Sequence, residues 1–529
     1  MKSPVFKKLS LLFTLLLMAV SAVFAQQKQP NIIFIMSDDH TSQAIGAYGG
    51  RLAALNPTPQ LDQLAAEGML FENVFCTNSI CTPSRATIMT GQYSQTNGVL
   101  DLDDSLAPAN QYLPMELRKL GYSTAVIGKW HLKEEPAAFD YYEVLKYQGD
   151  YFNPSLRTMN AGPWPNNELT YEGHSTDIIT DRSLAYLKNR DKSKPFFLMH
   201  HYKAPHDMFE FAPRYADYLA DTEIPEPASL YAQPYFGSEA TVGKNGKLRP
   251  IIGTSVSDRH ISRNYVKTFL KDSIDGVEAT HLAYQDYLKR YLRCVKGVDD
   301  NLGRLFQYLK EEGLWENTII VYTGDQGMML GEHDLIDKRW MYEESMRMPF
   351  IVHYPKMIKP NSVNNLLINN TDFAPTLISL AGGQVPEYMQ GKSFMNSLSG
   401  KPQENWREAT YYRYWMHIIH HWVPAHFGIR TERYKLVFYY SKHYIPENEW
   451  QEYYWEKQLR SLGYDTPVAW ELYDLQNDPQ ELHNRYNDPN YKTIIQELKA
   501  ELKSQRQALN EEDTKYPALQ KIIDEHWDD

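Results

Sequence analysis

Asn31-Ile32-Ile33-Phe34-Ile35-Met36 is an unbroken apolar run rich in β-branched residues, and Ser37-Asp38-Asp39-His40 follows it. A short run without polar alternation reads as a strand buried on both faces, the kind that parallel sheets contain. Three further runs share its character: Thr124-Ala125-Val126-Ile127-Gly128, Pro195-Phe196-Phe197-Leu198-Met199-His200 and Thr318-Ile319-Ile320-Val321-Tyr322-Thr323. Between them apolar residues recur at helical spacing. Residues 59–69 carry Leu61, Leu64 and Ala65 on one face, residues 115–121 and 181–189 read as shorter helices, and residues 282–309 sustain the pattern from Tyr287 to Leu305. This alternation predicts an α/β fold, a large mixed, mostly parallel sheet between helices. Ligands of such sheets sit at the carboxyl ends of the strands. Asp38, Lys129, His200 and Asp325 all fall just past a strand end in this reading, so they are expected to converge.

The texture changes after about Pro355. Residues 377–383 close a helix, residues 391–401 read as a connector, and residues 410–412, 428–440 and 470–475 read as short alternating strands. Residues 491–509 are an amphipathic helix rich in lysine and glutamate. The chain therefore divides into a leader at 1–25, a catalytic α/β domain at 26–395, and a smaller C-terminal subdomain at 396–529 with an antiparallel sheet and a terminal helix. Residues 221–263 are a long, weakly patterned insertion, and long loops in compact domains are often functional. The leader places Lys2, Lys7 and Lys8 before an apolar run from Leu11 to Val20, with small residues leading to Ala25. That is the pattern of a secretory signal peptide cut after Ala25. The run is short for a bilayer span, and no later segment offers about eighteen consecutive apolar residues. The expectation is an exported protein, periplasmic or secreted, without stable membrane insertion.

With 529 residues the chain exceeds one small domain. Lysine plus arginine number 54 against 66 for aspartate plus glutamate, a net charge of −12. Such a chain is a poor non-specific nucleic-acid binder, because phosphate affinity comes from basic surface. An anionic substrate would need cations concentrated locally. Three cysteines cannot build a disulfide framework. Cys76 and Cys294 read as small buried hydrophobes, with a bridge between them left open.

Cys81-Thr82-Pro83-Ser84-Arg85, followed by Ala86-Thr87 and by Thr90-Gly91, is the most particular motif in the chain. Cys-x-Pro-Ser-Arg before a Thr-Gly turn resembles the signature of the type I sulfatases, members of the alkaline-phosphatase superfamily, in which this cysteine is oxidised to formylglycine. Asp38-Asp39 resembles the family's paired metal-binding aspartates, Gly128-Lys129-Trp130-His131 its second signature, and Asp325-Gln326-Gly327 its second metal pair. Taken singly, each has a plainer reading as a helix cap, a strand end or a glycine turn. Their order and spacing agree together from Asn31 to about Pro355.

The resemblance implies a mechanism. Asp38, Asp39, Asp325 and Gln326, with the modified residue 81, would hold one divalent cation. The hard oxygen set suits calcium, with magnesium as the stricter octahedral alternative. The aldehyde hydrate attacks sulfur, a covalent sulfo-enzyme forms, and sulfate is expelled with the aldehyde restored. Arg85 holds the residue 81 hydroxyl, Lys129 binds it and sulfate, and His131 is the candidate base for expulsion. His206 and Lys338 lie on the leaving-group side, with His206 the better proton donor because imidazole titrates near neutrality. These cations also reconcile an acidic chain with an anionic substrate. The partners implied are a sulfated glycan and a formylglycine-generating maturation enzyme that acts on Cys81.

The His- and aromatic-rich stretch 416–431 resembles that of bacterial N-acetylglucosamine-6-sulfatases acting on heparan-type or mucin-type glycans. It offers His417, His420, His421 and His426 as sugar contacts, and packing of a strand as the plainer reading; Arg430 opens that strand and reads as structural. Residues 147–154 read as a second rim loop, and Arg259, His260 and Arg263 as solvated charges or contacts to a further acidic sugar. The competing functions are a uronate 2-O- or galactose-type sulfatase, a phosphatase or phosphonate monoester hydrolase of the same superfamily, and a glycan-binding protein without catalysis. Phosphate-cleaving members often pair Ser or Thr with two metals held partly by histidines, whereas this chain has the cysteine motif and one carboxylate-rich cluster.

Overall fold

A computed structural model describes residues 29–231, 236–257, 259, 276–452, 457 and 466–529. The leader at 1–25, His260 and Arg263 lie outside the described residues.

Ten strands make one sheet, in the order Ser362–Asn364, Met69–Phe71, Phe350–His353, Thr318–Gly324, Asn31–Asp38, Phe196–Pro205, Ser123–Gly128, Tyr141–Leu145, Ser155–Thr158 and Glu168–Thr170. The four apolar runs are its middle, and they are mutually parallel. The flanks turn antiparallel through Phe350–His353 on one side and Ser155–Thr158 on the other. Alternation along the first strand explains the layers, since successive side chains point to opposite faces. Ile33 and Ile35 face the long helix Gly276–Glu311 through Tyr287, Leu288, Val295 and Leu302. Ile32, Phe34 and Met36 face the opposite layer, where Ala86, Ile88 and Met89 of helix Cys81–Thr90 and Phe373 and Leu377 of helix Phe373–Leu380 pack. Every residue of Asn31–Asp38 is buried.

The C-terminal part is a four-stranded antiparallel sheet, Ala409–Tyr414, His426–Thr431, Tyr434–Tyr439 and Ala469–Asp474, paired in chain order. One face packs on Trp340, Met341 and Tyr342 of the large body. The other is covered by Lys492–Ala508 and Pro517–His526 through Leu498, Leu502, Leu519 and Ile523.

Several boundaries differ from the sequence reading. The helix begun at Pro59 stops at Glu67, because Met69–Phe71 joins the sheet beside Phe350–His353. Residues 428–440 are a hairpin of two strands, and Arg430 lies within the first of them rather than opening it. His200 is inside strand Phe196–Pro205 and exchanges a hydrogen bond with Ser183 at 2.6 Å, so it serves the core and not the strand-end site. Burial holds its imidazole neutral, with the pKa lowered to about 3. Within the insertion, Thr254–Ser255 pairs with Leu335–Asp337, the strand that leads into Lys338. Cys76 and Cys294 are both buried and free, so no bridge joins them. Arg259 is not solvated; it pairs with Asp334 at 3.1 Å and donates to two backbone carbonyls.

Candidate active site

Two adjacent parallel strands bring three acids together. Asp38 ends its strand, and Asp39 turns out of it with φ 63°. Ser37 stands opposite Gly324, so Asp325 leaves the neighbouring strand beside Asp38. The turn needs glycine there, since a Cβ on Gly324 would lie 2.5 Å from the His40 carbonyl oxygen. The three carboxylates offer oxygens within 4.8 Å of one another.

Cys81 begins a ten-residue helix buried along its whole length, closed by Gly91 at φ 66°. The apolar pattern of this segment is weak; the position of the helix between sheet and Phe373–Leu380 fixes it. The Cys81 sulfur lies 3.3 Å from Asp38 Oδ1. Burial and the Asp38 charge raise the thiol pKa well above its usual value, so the unmodified side chain is a neutral thiol here.

Cations close the ring. Arg85, one turn along the helix, donates Nε and Nη2 to Asp325 Oδ2 at 3.0 and 2.9 Å and Nη1 to the Lys129 carbonyl at 2.7 Å. Lys129 is ion-paired with Asp38 and also donates to Gln148 Oε1 at 2.6 Å. Lys338 is paired with Asp39. His206 follows strand Phe196–Pro205, with Nε2 3.7 Å from Asp39 Oδ2 and Nδ1 2.7 Å from Asp207 Oδ1. His131 is half-buried, with φ 56°. Crowding around its ring, then the Lys129 and Arg85 cations, hold its pKa well below the usual imidazole value. Burial alone would raise Asp38, but Lys129, His206 and Arg85 outweigh it and keep the carboxylate ionised. Burial and the adjacent Asp38 charge push Asp325 up to about 7 against the pull of Arg85.

This donor set fits a divalent cation. Three hard carboxylates converge, and the Gln326 amide oxygen, buried, has no hydrogen-bond partner among the described residues, while its nitrogen donates to Asp39. A buried amide oxygen left without a donor is the expected state of a metal ligand.

The four rim histidines separate into two pairs. His426 is fully buried among Tyr412, Tyr414 and Tyr439, with Nδ1 bonded to the Pro424 carbonyl. His417 accepts from the Ala425 N–H at 3.2 Å, and burial lowers its pKa to about 3. Both are packing residues, which corrects their reading as sugar contacts. His420 and His421 instead reach the site: His420 Nδ1 meets Arg339 Nη2 at 3.0 Å and His421 Nδ1 lies 3.1 Å from Asp337 Oδ2. Asp337 and Arg339, missed in the sequence, flank Lys338 and pair with each other at 3.1 Å. Arg339 Nη1, buried, has no hydrogen-bond partner among the described residues. Their position on either side of Lys338 was the available signal. Gln148 was singled out only as part of a rim loop.

The Sulfatase family model matches residues 30–383, and the model described as N-sulphoglucosamine sulphohydrolase, C-terminal, matches 331–458 and 457–508. The chain is 38% identical over 511 residues to an N-acetylglucosamine-6-O-sulfatase of Bacteroides thetaiotaomicron, covering 89% of this chain and 85% of that protein. It is 27% identical to the N-acetylglucosamine-6-sulfatase of Homo sapiens, covering 75% of this chain and 69% of the human one. A solved structure of a protein bound to its substrate D-glucosamine-2-N,6-O-disulfate superposes with TM-score 0.78 and 36% identity, over 92% of this chain and 99% of that one. With the family model spanning most of the chain and its motifs gathered at one strand-end cluster, this protein belongs to the sulfatases, the sulfuric ester hydrolases of the alkaline-phosphatase-like fold.

Proposed function

We propose that the chain hydrolyses the 6-O-sulfate ester of N-acetylglucosamine or N-sulfated glucosamine in heparan-type or mucin-type glycans, with Cys81 converted to formylglycine. The observation that carries the chemistry is Cys81 at the head of a buried helix, its sulfur 3.3 Å from Asp38 within a ring of acids and cations. The choice of sugar is supported by the relatives named above, which act on N-acetylglucosamine 6-sulfate or bind a 6-O-sulfated glucosamine.

Asp38, Asp39, Asp325 and Gln326 would hold one divalent cation, calcium in preference to magnesium because the cage is irregular and carboxylate-rich. The formylglycine hydrate supplies an oxygen nucleophile and the cation neutralises charge on the sulfate. The remaining work falls to this chain's own side chains. Arg85 orients residue 81 through the Asp325 carboxylate and the Lys129 carbonyl. Lys129 and Lys338 bind the sulfate oxygens, which lowers the repulsion met by an incoming nucleophile. His206 Nε2 gives a proton to the departing sugar oxygen, with its other nitrogen held by Asp207. His131 removes the proton from the residue 81 hydroxyl when sulfate is released. Asp337, Arg339, His420 and His421 form the polar wall against which the sugar hydroxyls bind. The leader supports export, and conversion of Cys81 requires a formylglycine-generating enzyme in the same host.

The test is mass spectrometry of the tryptic fragment that contains residue 81, from a host able to mature sulfatases, together with sulfate release from a panel of monosulfated sugars. Thiol-to-aldehyde conversion removes about 18 Da. That loss, with release from 6-sulfated N-acetylglucosamine and not from 2-sulfated uronate or sulfated galactose, is the expected outcome. Release from another sugar alone would discard the substrate, and an unmodified thiol in an active enzyme would discard the mechanism.

A further inference from the structure

Lys203 is a cation that the proposed catalytic scheme does not use. It lies on strand Phe196–Pro205, three residues before His206, and its carbonyl accepts the His206 N–H at 3.1 Å. The residue is 5% exposed. Its ammonium sits 4.8 Å from the centroid of the Tyr151 ring. Tyr151 in turn donates its hydroxyl to the His206 carbonyl at 2.5 Å, so Lys203 and Tyr151 are tied to the His206 backbone beside the site.

What sets Lys203 apart is its lack of an anion. Arg85 is paired with Asp325 and Asp38, Lys129 with Asp38, and Lys338 with Asp39 and Asp337, so each of these cations has at least one carboxylate. Among the described residues Lys203 makes no ion pair and no side-chain hydrogen bond. A buried ammonium without a partner is costly, and a ring face offsets only a fraction of that cost. Burial and the Lys129 cation hold its pKa below the usual lysine value, against the pull of Asp38, Asp207 and Asp39. Beside a site read as binding a sulfate ester, such a charge is available to an anion that arrives with the ligand.

We propose that Lys203 is a substrate-binding residue whose ammonium receives a second anionic group of the glycan, distinct from the sulfate ester that is cleaved. This rests on the reading of the site as a glucosamine 6-sulfatase. Two groups carry the required chemistry, an N-sulfate on the same sugar and the carboxylate of an adjoining uronate. Both present a negative oxyanion that a buried ammonium can bind by a charge-assisted hydrogen bond.

The experiment compares matured wild type, Lys203→Met and Lys203→Arg on three substrates: 6-O-sulfated N-acetylglucosamine, glucosamine carrying both N- and 6-O-sulfate, and 6-O-sulfated N-acetylglucosamine joined to a uronate. Thermal midpoints are measured alongside. Lys203→Met is expected to raise KM for one of the two-anion substrates by roughly tenfold to a hundredfold, the worth of a hydrogen bond to a charged group. The single-anion substrate keeps its kcat and KM, Lys203→Arg retains the preference, and which substrate responds identifies the anion. The thermal midpoint of Lys203→Met should hold or rise, because an apolar side chain of similar volume replaces an unpaired buried charge. Equal losses on all three substrates, no loss on any, or a lowered midpoint would overturn the proposal. Wild type that cleaves none of the three would instead remove the glucosamine reading on which it stands.

Discussion

Arg85 shows how much one side chain does in this site. Its guanidinium fork meets Asp325 Oδ2 with two N–H groups and the Lys129 carbonyl with a third, at 2% exposure. Lysine keeps the charge and loses the fork. Arg85→Lys should cost about 1–3 kcal/mol of stability by leaving a buried carbonyl unsatisfied. It should also lower kcat/KM by about 10²- to 10³-fold, as removal of a preorganised charge-stabilising donor does. Urea titration and sulfate release measure the two. Chelation gives a second prediction at this scale. With EDTA, sulfate release should stop and the thermal midpoint should fall. Calcium at a hundredfold excess over its dissociation constant should restore about 2.7 kcal/mol. A midpoint indifferent to chelator and calcium would sink the cation assignment. The residues of the ring were legible in the sequence because the chemistry restricts them to a few types at fixed spacing. Gln148, Asp337, Arg339 and Lys203 were not, since each acquires meaning only from a partner brought near by the fold. His417 and His426 misled for the complementary reason: a histidine-rich tract has the same sequence whether its rings face a ligand or Tyr412 and Tyr439.

At the scale of elements, the strand ends set the positions of the active groups. Lys129 leaves the sheet through Gly128, which has φ 102° and packs so tightly that a Cβ would lie 1.9 Å from the His201 carbonyl oxygen. Alanine cannot fit without moving the Lys129 backbone, whose N–H is bonded to that same carbonyl at 2.9 Å. Gly128→Ala is expected to destabilise by at least about 2 kcal/mol through backbone strain. A shift of about 1 Å at Lys129 would cost kcat roughly 10²-fold. Far-ultraviolet circular dichroism on heating, with kcat in parallel, tests the pair, and full activity would show that the strand end tolerates a side chain. The central strands were readable as apolar runs because both their faces are buried. Tyr141–Leu145, Ser155–Thr158 and Glu168–Thr170 escaped because the sheet flank mixes polar and apolar residues, and Glu168–Thr170 buries none of its own. Helix Cys81–Thr90 escaped as a helix because it is buried all round, so it has no amphipathic stripe to read.

Across the whole molecule, the small sheet is fastened to the large body by buried charge as well as by Tyr412, Val437 and Tyr473. Lys435, fully buried, lies 3.0 Å from Glu343 and 2.6 Å from Glu481, and Arg430 reaches Glu343 at 3.1 Å. Removing Lys435 alone leaves Glu481 buried without its cation, while Glu343 keeps Arg430 and Arg347, so Lys435→Met should cost about 3–5 kcal/mol. Adding Glu481→Gln should recover part of that loss, a coupling that a double-mutant cycle in urea would read. Glu471 of the small sheet gives the junction its pH response. It accepts from Tyr342 at 3.3 Å and Tyr473 at 2.9 Å. Burial raises its pKa to about 7, with the Glu481 charge adding to the rise, while hydrogen bonds from Ser238, Tyr473 and Tyr342 oppose it. Between the ordinary carboxyl value and about pH 7 the folded chain therefore holds a proton there that the unfolded chain releases. Stability from this group is full at low pH and is lost as pH rises through that window. Glutamine cannot ionise and keeps the shape. Glu471→Gln should thus gain on wild type as pH goes from 5 to 8, by up to about 3 kcal/mol. Urea midpoints of the two proteins at pH 5, 6, 7 and 8 would show the curves separating upward. Parallel curves would mean that Glu471 is ionised in the folded protein throughout, held by its tyrosine hydroxyls.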